Sequence, residues 1–222
     1  MKEKVTQIIH NWKLENKDIK QIYNTTWQIG DEYVLKVYKN LGMMERNLKI
    51  LQILDDMDIP VGKIVPTMDK EQFIALDDQF YFLSRKLPGS NIVRIGNDGK
   101  IAFMMGEIIA DLHEAFKKCE EADIFWNNSL LDEMNGWVKS NLEKEDWKYI
   151  PREEYEKVVS KLAVVYDKLP VQLIHRDVHF GNFLFEEGRF SGYIDFDLSQ
   201  RNIRIFDLCY FFRKKCDLII YN

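Results

Sequence analysis

The chain has 222 residues, 46% hydrophobic and 30% charged, enough to bury the core of one large domain or two small lobes. Its 31 basic and 36 acidic side chains give a formal charge of −5, so the basic footprint of a nucleic-acid binder is missing. Cys119, Cys209 and Cys216 show neither CxxC spacing nor a partnering histidine cluster. That argues against a zinc site or a disulfide framework and for a reducing, cytoplasmic setting. The first twelve residues are charged and lack a long apolar run, so neither a signal peptide nor a membrane span is expected.

In chain order, a short helix is predicted over 3–12, followed by two strands over 19–29 and 32–38 joined around Gly30-Asp31. The second strand is apolar on both faces and is expected to be covered on both sides. Met44, Leu48, Leu51 and Leu54 repeat at helical spacing, and that helix should stop before Pro60. Residues 73–76 and 79–87 read as a hairpin around Asp77-Asp78, and Leu87-Pro88-Gly89 breaks the pattern. From there helices dominate. Ile101, Met105, Ile108, Leu112 and Phe116 form one stripe, entered from the turn-like Asn97-Asp98-Gly99. A weaker helix covers 130–142. Tyr155, Val158, Leu162, Val165 and Leu169 form another stripe between Pro151 and Pro170. Short strands are expected at 171–175, 183–186 and 190–194, then an apolar helix at 205–216. The fold class is α+β. Residues 1–87 form a small antiparallel β-rich lobe with one helix, and residues 88–222 a larger, mainly helical lobe. Ligands commonly bind at such lobe interfaces.

The chemistry concentrates in His175-Arg176-Asp177-Val178-His179-Phe180-Gly181-Asn182 and in Ile194-Asp195-Phe196-Asp197. Phosphoryl transfer needs positioning, neutralised phosphate charge and an oriented nucleophile more than covalent help. One carboxylate must face the acceptor, and Asp177 fits that role. A second carboxylate and an amide oxygen must hold Mg²⁺, a hard cation that takes few protein ligands, and Asp195 and Asn182 fit these. Lys36 stands on the strand Tyr33-Val34-Leu35-Lys36-Val37-Tyr38. In a covered strand it needs a partner; the bland alternative is an edge lysine reaching solvent.

The pattern Ile-His-x-Asp-x-His-x-x-Asn, then Tyr-Ile-Asp-Phe-Asp and Phe-Asp-Leu, resembles the aminoglycoside phosphotransferase and choline kinase-like family, of protein-kinase-like fold. The segment from Gly106 to Leu112-His113 resembles a helix of the same family, and the likeness spans roughly residues 20–215. It implies transfer of the γ-phosphate of ATP or GTP to a hydroxyl of a small molecule. Lys36 would grip the phosphates with Glu45 as its helix partner, and the base would meet the hinge around Ser84-Arg85-Lys86. Asp207 would accept hydrogen bonds from the backbone of the catalytic loop, or simply sit at a helix N-terminus. His175, His179 and His113 read as structural.

Two features depart from the family. Residues 22–27, where a glycine-rich phosphate loop is expected, contain no glycine, although close backbone approach to phosphate usually uses it. The chain also ends soon after the Phe-Asp-Leu helix, on an apolar stretch, as a fragment, a truncated product or a compact member would. A non-catalytic nucleotide- or partner-binding domain, or a truncated remnant, is therefore the alternative reading. A protein kinase ranks lower, because no glycine follows Phe196 and no Ala-Pro-Glu is present. Glu120, Glu121, Asp123, Asp132 and Glu133 would suit a cationic acceptor or form an ordinary solvated face. The acceptor and the oligomeric state are not written in the sequence.

Overall fold

A computed structural model describes residues 2–91, 99–119 and 125–220. The turn residues Asn97 and Asp98 and the acidic residues Glu120, Glu121 and Asp123 lie outside the described residues. The elements begin with α1 (Lys2–Ile8), β1 (Ile19–Tyr23), β2 (Thr26–Ile29), β3 (Tyr33–Tyr38) and α2 (Leu41–Asp56). Next come β4 (Ile64–Val65), β5 (Ile74–Leu76), β6 (Gln79–Arg85), β7 (Ser90–Asn91) and α3 (Gly99–Cys119). Then follow α4 (Leu130–Glu133), α5 (Lys139–Lys144), α6 (Arg152–Val165) and β8 (Val171–Ile174). The series ends with β9 (Phe183–Glu186), β10 (Arg189–Tyr193), β11 (Gln200–Ile203) and α7 (Ile205–Ile220). The chain forms two compact units, Met1–Ile108 with His179–Asp197, and Ile109–Val178 with Leu198–Asn222.

The first unit is built on an antiparallel sheet in the order β1-β2-β3-β6-β4, with β5 also pairing β6. Strand alternation sorts its side chains onto two faces. One face carries Trp27, Ile29, Leu35, Val37, Tyr81 and Leu83, which pack with Val5, Ile8, Ile9, Trp12 and Leu14 from α1 and the 3₁₀ turn after it. The indole N–H of Trp12 donates to the Val65 carbonyl at 2.8 Å, pinning that turn to β4. The other face of β3 carries Lys36 and Tyr38, and Tyr38 stacks on Phe82 of β6 at 5.8 Å between ring centroids. β3 is thus central, not an edge strand.

Helix α2 starts where Asn40 caps it, its side chain accepting from the Met43 amide at 2.8 Å. It buries Met44, Asn47, Leu48, Ile50, Leu51 and Leu54. The segment 19–29, read from sequence as one strand, is a hairpin. β1 and β2 meet across a two-residue turn at Asn24-Thr25, with a bulge between Gln21 and Tyr23. The turn lacks glycine or proline, so the usual punctuation is missing, and the Gln21 amide closes it by donating to the Asn24 carbonyl at 3.0 Å.

A second small sheet, β10-β9-β7, belongs to the same unit. Its approach depends on two glycines. Gly89 has φ +87°, and a Cβ there would lie 2.4 Å from the Phe185 carbonyl oxygen. A Cβ on Gly192 would lie 2.9 Å from the Pro60 carbonyl oxygen, which accepts from the Tyr193 amide at 2.9 Å. The phenol of Tyr193 donates to the Ile108 carbonyl at 2.7 Å.

The second unit has a two-stranded sheet, β8-β11, and buries Ile109, Leu112, Ala115, Phe116 and Cys119 of α3. The polar strand β11 gives no hydrophobic signal, because its inward positions are Gln200 and Asn202, both buried. The helix predicted over 130–142 is broken by a π-turn at Met134–Val138, where Gly136 leaves helical geometry. The stripe predicted on α6 forms, but only Tyr155 is buried, while Val158 and Val165 are exposed. Helical spacing decides which residues share a face, not whether anything covers it. No helix among the described residues is long and apolar enough to cross a membrane.

Gly89→Ala is expected to lower the unfolding free energy measured in urea by more than about 1 kcal/mol, because it adds a Cβ clash to an unfavourable φ. Gly188→Ala is the control: its φ is +78° but nothing lies within 4 Å of the added carbon, so its cost should be visibly smaller.

Candidate active site

In the first unit the chemistry starts from Lys36. Only 18% of its side chain is exposed, and its ammonium lies 2.9 Å from Asp195 Oδ1 and 3.2 Å from each oxygen of Asp197. Asp197 Oδ1 also accepts from the Tyr38 hydroxyl at 2.5 Å and from the Asn47 side-chain amide. Burial works to lower the Lys36 pKa, but the neighbouring charges of Asp197 and Asp195 and their hydrogen bonds outweigh it and hold the ammonium above its ordinary value. Tyr38 is pushed well above the ordinary tyrosine value, first by burial and then by the Asp197 charge.

Asp195 follows β10, with φ 68°, in a left-handed conformation that aspartate tolerates better than most residues. Its carboxylate is 46% exposed. Asn182 is buried and ends the 3₁₀ turn Phe180–Asn182 before β9. The Ile194 amide donates to the Asn182 carbonyl at 3.1 Å, so the β9–β10 hairpin carries Asn182 and Asp195 on adjoining chain segments. An amide oxygen and an exposed carboxylate are the hard, oxygen-only donor set that Mg²⁺ accepts with few protein ligands. No cluster of three His, Cys, Asp or Glu able to hold a metal occurs among the described residues.

In the second unit, loop 175–178 follows β8 and hangs on Asp207. This carboxylate is fully buried at the start of α7. It accepts from the His175 amide at 3.0 Å, the Arg176 amide at 2.9 Å and His113 Nε2 at 2.9 Å. Of the two readings left open for Asp207, the loop-supporting one describes its contacts. Arg176, at φ 73°, lays its guanidinium 4.5 Å from the Phe206 ring centroid and pairs with Glu133 at 2.6 Å. The loop is therefore held at both its backbone and its arginine, and Asp177 sits on it half-buried. His175 is buried and its Nδ1 accepts weakly from the Asp177 amide at 3.4 Å.

Several expectations need correction. Glu45 does not partner Lys36: α2 begins at Leu41, so Glu45 falls in the second turn, where it is exposed. The residue that α2 directs to the lysine network is Asn47, through Asp197. Ser84 lies within β6, paired to both β3 and β4. The Arg85 and Lys86 amides donate to the Lys63 and Glu32 carbonyls at 2.7 and 2.8 Å, so these two N–H groups serve the lobe itself. Glu133 is engaged by Arg176 and by Asn128, leaving Asp132 as the exposed member of that pair. Sequence reading passed over Asp197, Tyr38 and Asn47. The second aspartate of Asp-Phe-Asp was the one available signal.

Solved structures share this fold. Amicoumacin kinase hAmiN, in complex with AMP-PNP, Ca²⁺ and Ami, matches with TM-score 0.71 at 17% identity, over 95% of this chain and 67% of that one. The AMP-bound spectinomycin phosphotransferase APH(9)-Ia matches with TM-score 0.68 at 15% identity, over 94% and 73%. The GDP complex of aminoglycoside 2′-phosphotransferase-IIIa matches with TM-score 0.67 at 16% identity, over 97% and 78%. No curated protein matches by sequence. The architecture is that of the kinase-like phosphotransferases. The sequence pattern of the phosphotransferase enzyme family matches residues 19–217, and the chain belongs to that family.

Two measurements test the geometry without any ligand. Asp207→Ala should cost at least about 2 kcal/mol in urea unfolding, since it strands two backbone amides in the interior. The Lys36 network should leave a mark at alkaline pH. A group whose pKa is raised by folding adds stability that is complete below its unfolded value, 10.5 for lysine, and is lost as pH rises through the folded value. Tyr38 acts in the same direction. On this account Tm is flat between about pH 6 and pH 9 and falls above about pH 10.5. Lys36→Met should remove the lysine's share of that alkaline loss.

Proposed function

We propose that this chain transfers the γ-phosphate of ATP or GTP to a hydroxyl of a small molecule with Mg²⁺ as the metal. The observation that carries this reading is the meeting of Lys36, on the central strand, with Asp195, on the loop after β10, at 2.9 Å. An ammonium and an exposed carboxylate held together suit a phosphate chain and its counter-cation, which would exchange for the direct ion pair. Asn182 and Asp195 would hold Mg²⁺, whose charge would offset that of the phosphates. Lys36 would bind the phosphate oxygens nearer the nucleoside. Asp177, five residues before Asn182, would accept or orient the proton of the acceptor hydroxyl. The rigidity that Asp207 gives to loop 175–178 supports that role, because orientation is much of what such a residue contributes.

The hydroxyl-bearing antibiotics named for the similar structures, spectinomycin and aminoglycosides, are the first acceptors to try. The glycine-free turn at Asn24-Thr25 favours a second reading, nucleotide binding without transfer. Close backbone approach to phosphate usually uses glycine, and this turn has none.

Titration with Mg²⁺-ATP and Mg²⁺-GTP, read by thermal shift, is the direct test. A ligand that binds the folded state alone raises Tm. The expected result is a metal-dependent rise that Asp195→Ala removes and Asp177→Ala keeps, together with loss of transfer in Asp177→Ala. A rise with no transfer to any acceptor in the wild type would favour the binding-only reading. No rise with either nucleotide would overturn both.

A further inference from the structure

We propose that Asp197 is the positioning residue that holds Lys36 for nucleotide phosphate, in place of a glutamate from α2, and that Tyr38 and Asn47 fix it there. This rests on the nucleotide-binding role proposed for Lys36. A lysine that grips phosphate must keep its ammonium in one place while its free proton donors turn to the ligand. The usual solution is a carboxylate on the neighbouring helix, and α2 does not supply one: Glu45 is exposed. Asp197 faces Lys36 with both oxygens at 3.2 Å.

The two aspartates of the motif differ in what surrounds them. Asp195 is 46% exposed and Asp197 is 29% exposed. Asp197 Oδ1 already takes the Tyr38 hydroxyl and the Asn47 amide besides Lys36. A carboxylate oxygen has about two lone-pair sites, so Oδ1 is already filled, while Oδ2 is taken by Lys36 at 3.2 Å. The labour divides accordingly. Asp195 is the carboxylate that would exchange Lys36 for a cation, and Asp197 would keep its hold on the ammonium. Tyr38 lies on the same face of β3 as Lys36 and Asn47 comes from α2. One carboxylate therefore joins the strand, the helix and the loop after β10, and Asn47 serves where a helix carboxylate is absent.

The test is a double-mutant cycle on the full chain, read as the Kd of Mg²⁺-mant-ATP for wild type, Lys36→Met, Asp197→Asn and the double variant. If Asp197 acts through Lys36, Asp197→Asn weakens binding by about tenfold. The same change made in the Lys36→Met background then adds less than about twofold. Glu45→Gln leaves Kd unchanged. A merely structural Asp197 would weaken binding equally in both backgrounds, and that result overturns the proposal. So does a larger loss from Glu45→Gln than from Asp197→Asn. If wild type binds no mant-ATP, the proposed function of the site falls instead. The same four proteins then still decide the lysine-holding role from their unfolding midpoints, where additive losses overturn it and coupled losses uphold it.

Discussion

An ammonium group on the middle strand of a sheet has to be neutralised where it stands, and the first unit is arranged around that requirement. β3 has β2 on one side and β6 on the other, so Lys36 cannot escape past an edge. Its face of the strand therefore needs acid. The chain brings it from far along the sequence, at the end of the β9–β10 hairpin, 159 and 161 residues away. Two glycines let that hairpin come close: Gly89 lies under the Phe185 carbonyl and Gly192 against that of Pro60. The opposite face of the same strand is purely apolar and is closed by α1 and the turn that follows it. Burying each such large side chain contributes about 1.5–3 kcal/mol, and this fixes the register that keeps Lys36 on the polar side.

The second unit solves a different problem with the same kind of group. A loop after a short strand has backbone N–H groups that no ladder satisfies. Asp207 takes two of them, and its remaining partner, His113 on α3, ties the carboxylate to the longest helix. A neutral side chain would leave these donors short of strong acceptors; charge-assisted bonds of this type are roughly twice as strong as neutral ones. The conformation of residues 175–177 thus depends on a residue about thirty positions later.

Much of the fold was legible because it follows from short-range rules. The apolar run of Tyr33–Tyr38 put Lys36 within a strand, helical spacing found α2, α3 and α6, and turn residues marked the hairpin of β5 and β6. What escaped shares a cause. β11 is a strand that buries a glutamine and an asparagine, Gln200 and Asn202, whose side-chain oxygens accept hydrogen bonds that no hydropathy pattern records. The Asn24-Thr25 turn carries no glycine. Glu45 was assigned to Lys36 by order along the chain, yet the phase of α2 turns it to solvent and puts Asn47 inward, two residues or about 200° further round. The partnership of Lys36 with Asp197 is a long-range pairing of polar groups, and these are set by tertiary placement and not by local propensity.

The loops after β8 and β10 each carry a residue in the left-handed region, Arg176 at φ 73° and Asp195 at φ 68°. For an arginine this conformation costs on the order of 1–3 kcal/mol; for an aspartate it costs less. Glycine would sit at either place without strain, and asparagine nearly so. Backbone strain and side-chain contacts therefore pull in opposite directions here. A lineage selected only for a durable fold would drift toward glycine or asparagine at 176 and 195, and would lose the Glu133 ion pair and the Asp195 carboxylate as it did so. At these two positions the backbone itself favours the residues that would break the Glu133 ion pair and remove the Asp195 carboxylate.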